Sequence, residues 1–213
     1  LTSNIEFDTY NTQLTLRLGH TEDHSHQVES NGTVTRVSPF EFKLEFPAHF
    51  ATSSPYLRVF GGSEYTLTHS VFESSSGRQV PIELVTLADR DTAWPVRLIQ
   101  QSLRAGEELY GPYPHDKLLI DMAPTRVAGA GMEYAGAANV RSYGAIRHEV
   151  GHMWMGRGAR PADGRAGIID EMVTEWFTAG CPSVVSRSTG GGAHPELTRA
   201  FGDEDPYARG TNQ

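Results

Sequence analysis

The sequence predicts an α+β protein: an antiparallel β-rich subdomain over residues 1–88, then an α/β core over residues 89–213 built around a metal site. Three observations predict it. Apolar and polar residues alternate at period two in several stretches up to Leu87. From Asp91 the apolar spacing changes to that of helices. The run Arg147-His148-Glu149-Val150-Gly151-His152 then sets two imidazoles four residues apart, on one helix face.

In the first region Leu14, Leu16 and Leu18 alternate with Thr15 and Arg17, and Phe40, Phe42, Leu44 and Phe46 with Glu41, Lys43 and Glu45. Residues 56–60, 65–72 and 80–87 continue the pattern, broken by turns at Gly61-Gly62 and Ser74 to Gly77. A small antiparallel sheet or sandwich is expected. His20, His24 and His26 lie in a polar stretch with nothing apolar around them and no further ligand, so a solvated hairpin loop is expected there rather than a second metal site.

Asp91 or Thr92 can cap a helix whose first turn takes Pro95, whose face is Val96, Ile99 and Leu103, and which Gly111-Pro112 ends. Residues 117–122 read as a strand, and 131–140 as one further strand at a sheet edge, where an extended peptide could pair. A helix through the two His residues, apolar at Ile146, Val150, Met153, Trp154 and Met155, is expected to stop at Gly156. After the Gly/Arg/Pro-rich loop 156–165 comes a second helix over 166–177, with a predicted apolar stripe of Ile168, Ile169, Met172, Val173, Trp176 and Phe177. Beyond Gly180 the pattern weakens to a flexible run at 186–192 and a short helix at 196–201.

The chemistry follows from the spacing. His148 and His152 can bind one metal ion, and Glu149 is placed to take a proton from its water rather than to ligate. Glu171, with eighteen residues between it and His152, supplies a third ligand. Two His and one Glu, with a fourth position left to water, form the ligand set of a catalytic zinc site, so one Zn2+ per chain is expected. Glu175 lies one turn after Glu171 and is a candidate outer partner for a ligand imidazole.

Upstream, Ala130-Gly131-Met132-Glu133-Tyr134 precedes the His motif. With it the chain resembles the M1 family of zinc aminopeptidases, one of the gluzincins, whose G-x-M-E-N strand precedes H-E-x-x-H and a Glu eighteen residues on. Tyr134 stands where that family has Asn. Tyr110 to Leu118 is similar to the family's approach to the core. The resemblance implies a gluzincin (thermolysin-like) core, incomplete at the C-terminus, behind a shortened M1-like N-terminal domain. It also implies that Glu133, with Gly131 and Met132, holds the free N-terminus of a peptide substrate. Asp205 to Gly210 is similar to the family's Y-x-K-G, with Arg209 for Lys, and implies that Tyr207 stabilises the tetrahedral intermediate. The function implied is removal of N-terminal residues from peptides. The alternatives are a gluzincin endopeptidase and a non-catalytic peptide-binding module that keeps its metal.

Composition bounds the rest. A net charge of −8 without a run of Lys or Arg argues against nucleic acid as a partner. Apolar runs are too short for a membrane-spanning helix. The chain opens on Leu with no signal-like segment, so an excised or processed chain is expected. The single Cys181 excludes an internal disulfide and, with no base motif near it, reads as a packing residue. Nothing in the sequence sets compartment, oligomeric state or side-chain preference.

Overall fold

The computed structural model describes residues 9–19, 26–51, 54–61, 63–123, 131–159 and 168–180. Strands β1 (Gln13–Arg17), β3 (Thr33–Ser38) and β4 (Glu41–Glu45) form an antiparallel sheet in the order β1-β4-β3, and β2 (His26–Ser30) pairs antiparallel with β5 (Leu57–Gly61). β2 and β3 had no strand signal of their own, and His26, placed by the sequence in a polar loop, opens β2. Phe42 and Leu44 point from β4 into a core with Val28, Phe46 and Phe50, as their alternation requires.

The second body is a mixed five-stranded sheet in the order β6-β7-β8-β10-β9. Its strands are β6 (Tyr65–Glu73), β7 (Gln79–Leu87), β8 (Leu118–Asp121), β9 (Gly131–Tyr134) and β10 (Ala137–Val140). β7, β8 and β10 are mutually parallel, and both edges are antiparallel. This sheet crosses residue 88, so β6 and β7 share it with the strands beside the His motif. The helix α1 (Ala93–Tyr110) makes the crossover from β7 to β8, as a parallel pair demands. It ends at Gly111, whose φ of 90° suits glycine.

Alternation sorts the sheet's two faces. Ile82, Leu84, Leu118, Ile120, Ala138 and Val140 face Ile99 and Leu103 of α1 and Ile146 and Val150 of α2 (Tyr143–Gly151). The larger of these side chains contribute roughly 1.5–3 kcal/mol each by burial. Val85, Leu119 and Ala137 face the other way, against Tyr56 and Phe60. There Tyr56 Oη donates to the fully buried Asp121, with Arg58 Nε 3.6 Å from the same carboxylate.

Three expectations are corrected. Residues 131–140 are two strands, not one: they form the hairpin β9–β10, turned at Gly136 (φ 70°), and β9 is the edge strand. The His-motif helix ends at Gly151 rather than Gly156, followed by turns closed by Trp154 N–H to Gly151 O and Ala159 N–H to Trp154 O. The third helix, α3 (Ile168–Thr178), buries Glu171, Thr174 and Phe177. Of the predicted apolar stripe Phe177 lies on this inner face, but Ile169 is 44% exposed, and Met172, Val173 and Trp176 are half-buried. The calls on Cys181, 186–192 and 196–201 lie outside the described residues.

Candidate metal centre

Two helices meet through small side chains. A Cβ on Gly151 would lie 2.8 Å from Phe177 and 3.0 Å from Thr174, so only glycine lets α3 pack this closely on α2. That approach brings Glu171 to the imidazoles. His152 sits just past the end of α2, yet its N–H still donates to His148 O (3.3 Å), which preserves the i, i+4 relation.

The result is a triangle of donor atoms. His148 Nε2 and His152 Nε2 are 3.1 Å apart, and Glu171 Oε2 lies 3.2 Å from the first and 3.5 Å from the second. All three residues are buried. A tetrahedral ion with bonds of about 2.0–2.1 Å has ligand–ligand edges of about 3.3–3.4 Å, so the triangle fits zinc. Glu171 Oε2 is moreover a buried oxygen without a hydrogen-bond partner among the described residues.

The charges agree. Burial alone would raise the Glu171 carboxyl, but the two imidazoles pull it down to about 2. Burial alone would lower His152, but the Glu171 carboxylate, together with Glu133 and Glu149, lifts it to about 9. The pocket therefore favours a positive charge: a proton on His152, or a cation that displaces it.

The far sides of the rings are held as well. His148 Nδ1 lies 3.1 Å from Glu175 Oε1, one turn along α3 from Glu171. His152 Nδ1 lies 3.2 Å from the Met155 carbonyl and 3.3 Å from Thr174 Oγ1. An Nδ1–H donated to that carbonyl leaves Nε2 as the free lone pair facing the triangle. The Met155 and Thr174 contacts have no sequence motif, although Thr174, three residues after Glu171, shares its helix face.

Glu149 is buried beside the triangle, and burial pushes its carboxyl up to about 8. β9 lies over it. A Cβ on Gly131 would overlap the Glu149 carboxylate, so glycine here allows the strand to approach that side chain. Gly131 and Glu133 share the face toward α2, while Met132 is exposed and the Tyr134 ring lies tilted against Tyr56 on the opposite face, centroids 4.8 Å apart. The Tyr134 ring thus packs away from the triangle.

Glu133 has an unforeseen partner. Arg157 Nη2 lies 3.0 Å from Glu133 Oε1, and both side chains are 13% exposed. A second possible ligand group, Glu133, Glu149 and His152, overlaps the first. The first is favoured because all its members are buried and Glu133 already faces a guanidinium. Tyr207 lies outside the described residues, as do His20 and His24, and His26 joins neither group. Two cavities, of about 620 and 540 Å3, lie elsewhere and contain none of the expected site residues.

No protein-family description matches the chain, and no curated protein does. Among solved structures the fold is similar to the M1 zinc metallopeptidase from Deinococcus radiodurans, with TM-score 0.57 and 18% identity over 81% of this chain and 40% of that one. It is also similar to Legionella pneumophila aminopeptidase A in complex with aspartic acid, with TM-score 0.61 and 15% identity over 81% of this chain and 22% of that one. The chain thus spans less than half the length of either neighbour. At these identities the likeness is one of fold, an M1-like α+β arrangement that carries a possible His/Glu metal cluster.

Proposed function

We propose that this chain carries a gluzincin zinc centre that hydrolyses peptide bonds, and that its substrates are peptides with a free N-terminus. The observation that supports it best is the buried convergence of His148 Nε2, His152 Nε2 and Glu171 Oε2, with edges of 3.1–3.5 Å, beside the buried Glu149. The M1-like fold agrees with it.

His148, His152 and Glu171 hold the metal, and Glu175, Thr174 and the Met155 carbonyl fix the rings. Zinc, when bound, supplies Lewis acidity toward a carbonyl oxygen and lowers the pKa of water toward neutrality. Glu149 accepts the proton of the attacking water and returns it to the leaving amine. An extended peptide pairs with β9, the edge strand of the sheet among the described residues. Glu133 receives the N-terminal ammonium through a charge-assisted hydrogen bond, and Tyr207 hydrogen-bonds the oxyanion. A panel of aminoacyl chromogenic substrates, with and without chelator, tests the reading. Chelator-sensitive turnover is expected, and a zinc-loaded chain that turns over none of them points to a binding module. Equal cleavage of N-acetylated peptides favours the endopeptidase alternative, for which the Arg157 contact to Glu133 speaks.

A further inference from the structure

We infer that Arg157 is a specificity-determining residue: its guanidinium competes with a substrate's N-terminal ammonium for the Glu133 carboxylate and so limits how strongly the site prefers a free amine. The inference rests on the peptidase reading above and refines its substrate class.

The local chain places Arg157 for this role. Gly156, at φ 105°, reverses the chain after the His motif, and a Cβ there would lie 2.9 Å from Asp170 Oδ2. Gly156 N–H donates to Ala159 O (2.8 Å) and Arg157 N–H to His152 O (3.0 Å), so the residue is anchored to the turn that carries the second imidazole. From there its side chain reaches the face of β9 that carries Glu133 and Gly131, and Nη2 stops 3.0 Å from Glu133 Oε1. At 13% exposure on each side, solvent screens the pair only weakly.

The consequence is competition between cations. Arginine stays charged at any working pH, so the guanidinium does not yield by deprotonation. An ammonium that arrives at Glu133 must share one carboxylate with a like charge or displace Arg157, leaving a largely buried guanidinium without this counter-charge. Either route cancels most of the advantage that a lone carboxylate gives a free amine. A peptide whose amine is acylated meets no such conflict.

The test is calorimetric binding of L-leucinamide and N-acetyl-L-leucinamide to the zinc-loaded chain. The wild type should prefer leucinamide, but by less than about ten-fold. Arg157→Gln should tighten leucinamide by about ten-fold or more, the scale of one hydrogen bond to a charged group, and leave the acetylated amide unchanged. Arg157→Lys, which keeps the charge, should restore the wild-type ratio. In Glu133→Gln, the further change Arg157→Gln should have no effect. A wild type that already prefers leucinamide by far more than ten-fold, or a ratio that Arg157→Gln does not move, overturns the inference. Turnover recorded on the same samples separates the two claims. Tighter amide binding without turnover upholds Arg157 and overturns the peptidase reading, and turnover with an unmoved ratio does the reverse.

Discussion

The two sides of the site treat their carboxylates differently. On the α3 side Glu171 meets two imidazoles among the described residues, which carry a full positive charge only if one of them takes a proton. On the β9 side, 15 residues before the first His, Glu133 meets a permanent cation in Arg157. The α3 side is thus built to take up a positive ion, while the β9 side brings its own. Nearest-neighbour charge, more than residue type, distinguishes Glu171 from Glu133.

Glu149 lies between the two sides and gives the largest expected effect. Glu149→Gln keeps the shape and removes the proton acceptor, so turnover should fall by about two to four orders of magnitude while zinc stays bound. Loss of zinc from this variant would mean that Glu149 belongs to the ligands and that the division between the sides is drawn wrongly.

The turn that holds both His152 and Arg157 rests on His115. That ring is buried, its Nε2 lies 3.0 Å from the Met153 carbonyl, and burial pushes its pKa down to about 4. The folded value lies below the unfolded value of about 6.5, so as pH falls the unfolded chain takes up the proton first. The stability from the neutral ring is complete above about pH 6.5 and is lost down to about 4, at most about 3 kcal/mol. Urea unfolding at pH 7 and pH 5 checks the slope, which His115→Gln should flatten. An unchanged slope in that variant would remove His115 from the account.

Glu175→Gln should act on the α3 side alone. Zinc affinity should fall by about ten-fold, read by competition with a chelating dye, while the binding ratio of free to acetylated leucinamide stays put. A moved ratio with unchanged zinc affinity would contradict the separation of the two sides.

Much of this was legible in the sequence, for identifiable reasons. The spacing of His148, His152 and Glu171 is local chemistry written on helices, and the structure brings the three together. Alternation in 40–46 and 80–87 found the strands because one face of each is apolar. On α3 periodicity found Phe177 but also pointed to Ile169, Met172 and Val173, whereas Glu171 and Thr174 complete the inner face. A helix whose buried face serves a metal hides polar residues inside, and an apolar count then points to the wrong side. The hairpin at 135–136 was missed because Ala135-Gly136 in a run of small residues gives little turn signal, and β2 and β3 because neither alternates cleanly. Arg157 was invisible for another reason. Its partner Glu133 lies 24 residues away on a different element, and only the turn at Gly156 brings them together.

The most direct test of the central claim is a zinc titration of the wild type and His148→Ala by calorimetry at pH 7, repeated at pH 5.5. One high-affinity site per chain is expected in the wild type, with proton release on binding, weaker affinity at the lower pH, and no such site in His148→Ala. Stoichiometric, equally tight zinc in His148→Ala, or no tight site in the wild type, would contradict the assignment of His148, His152 and Glu171 as a metal centre.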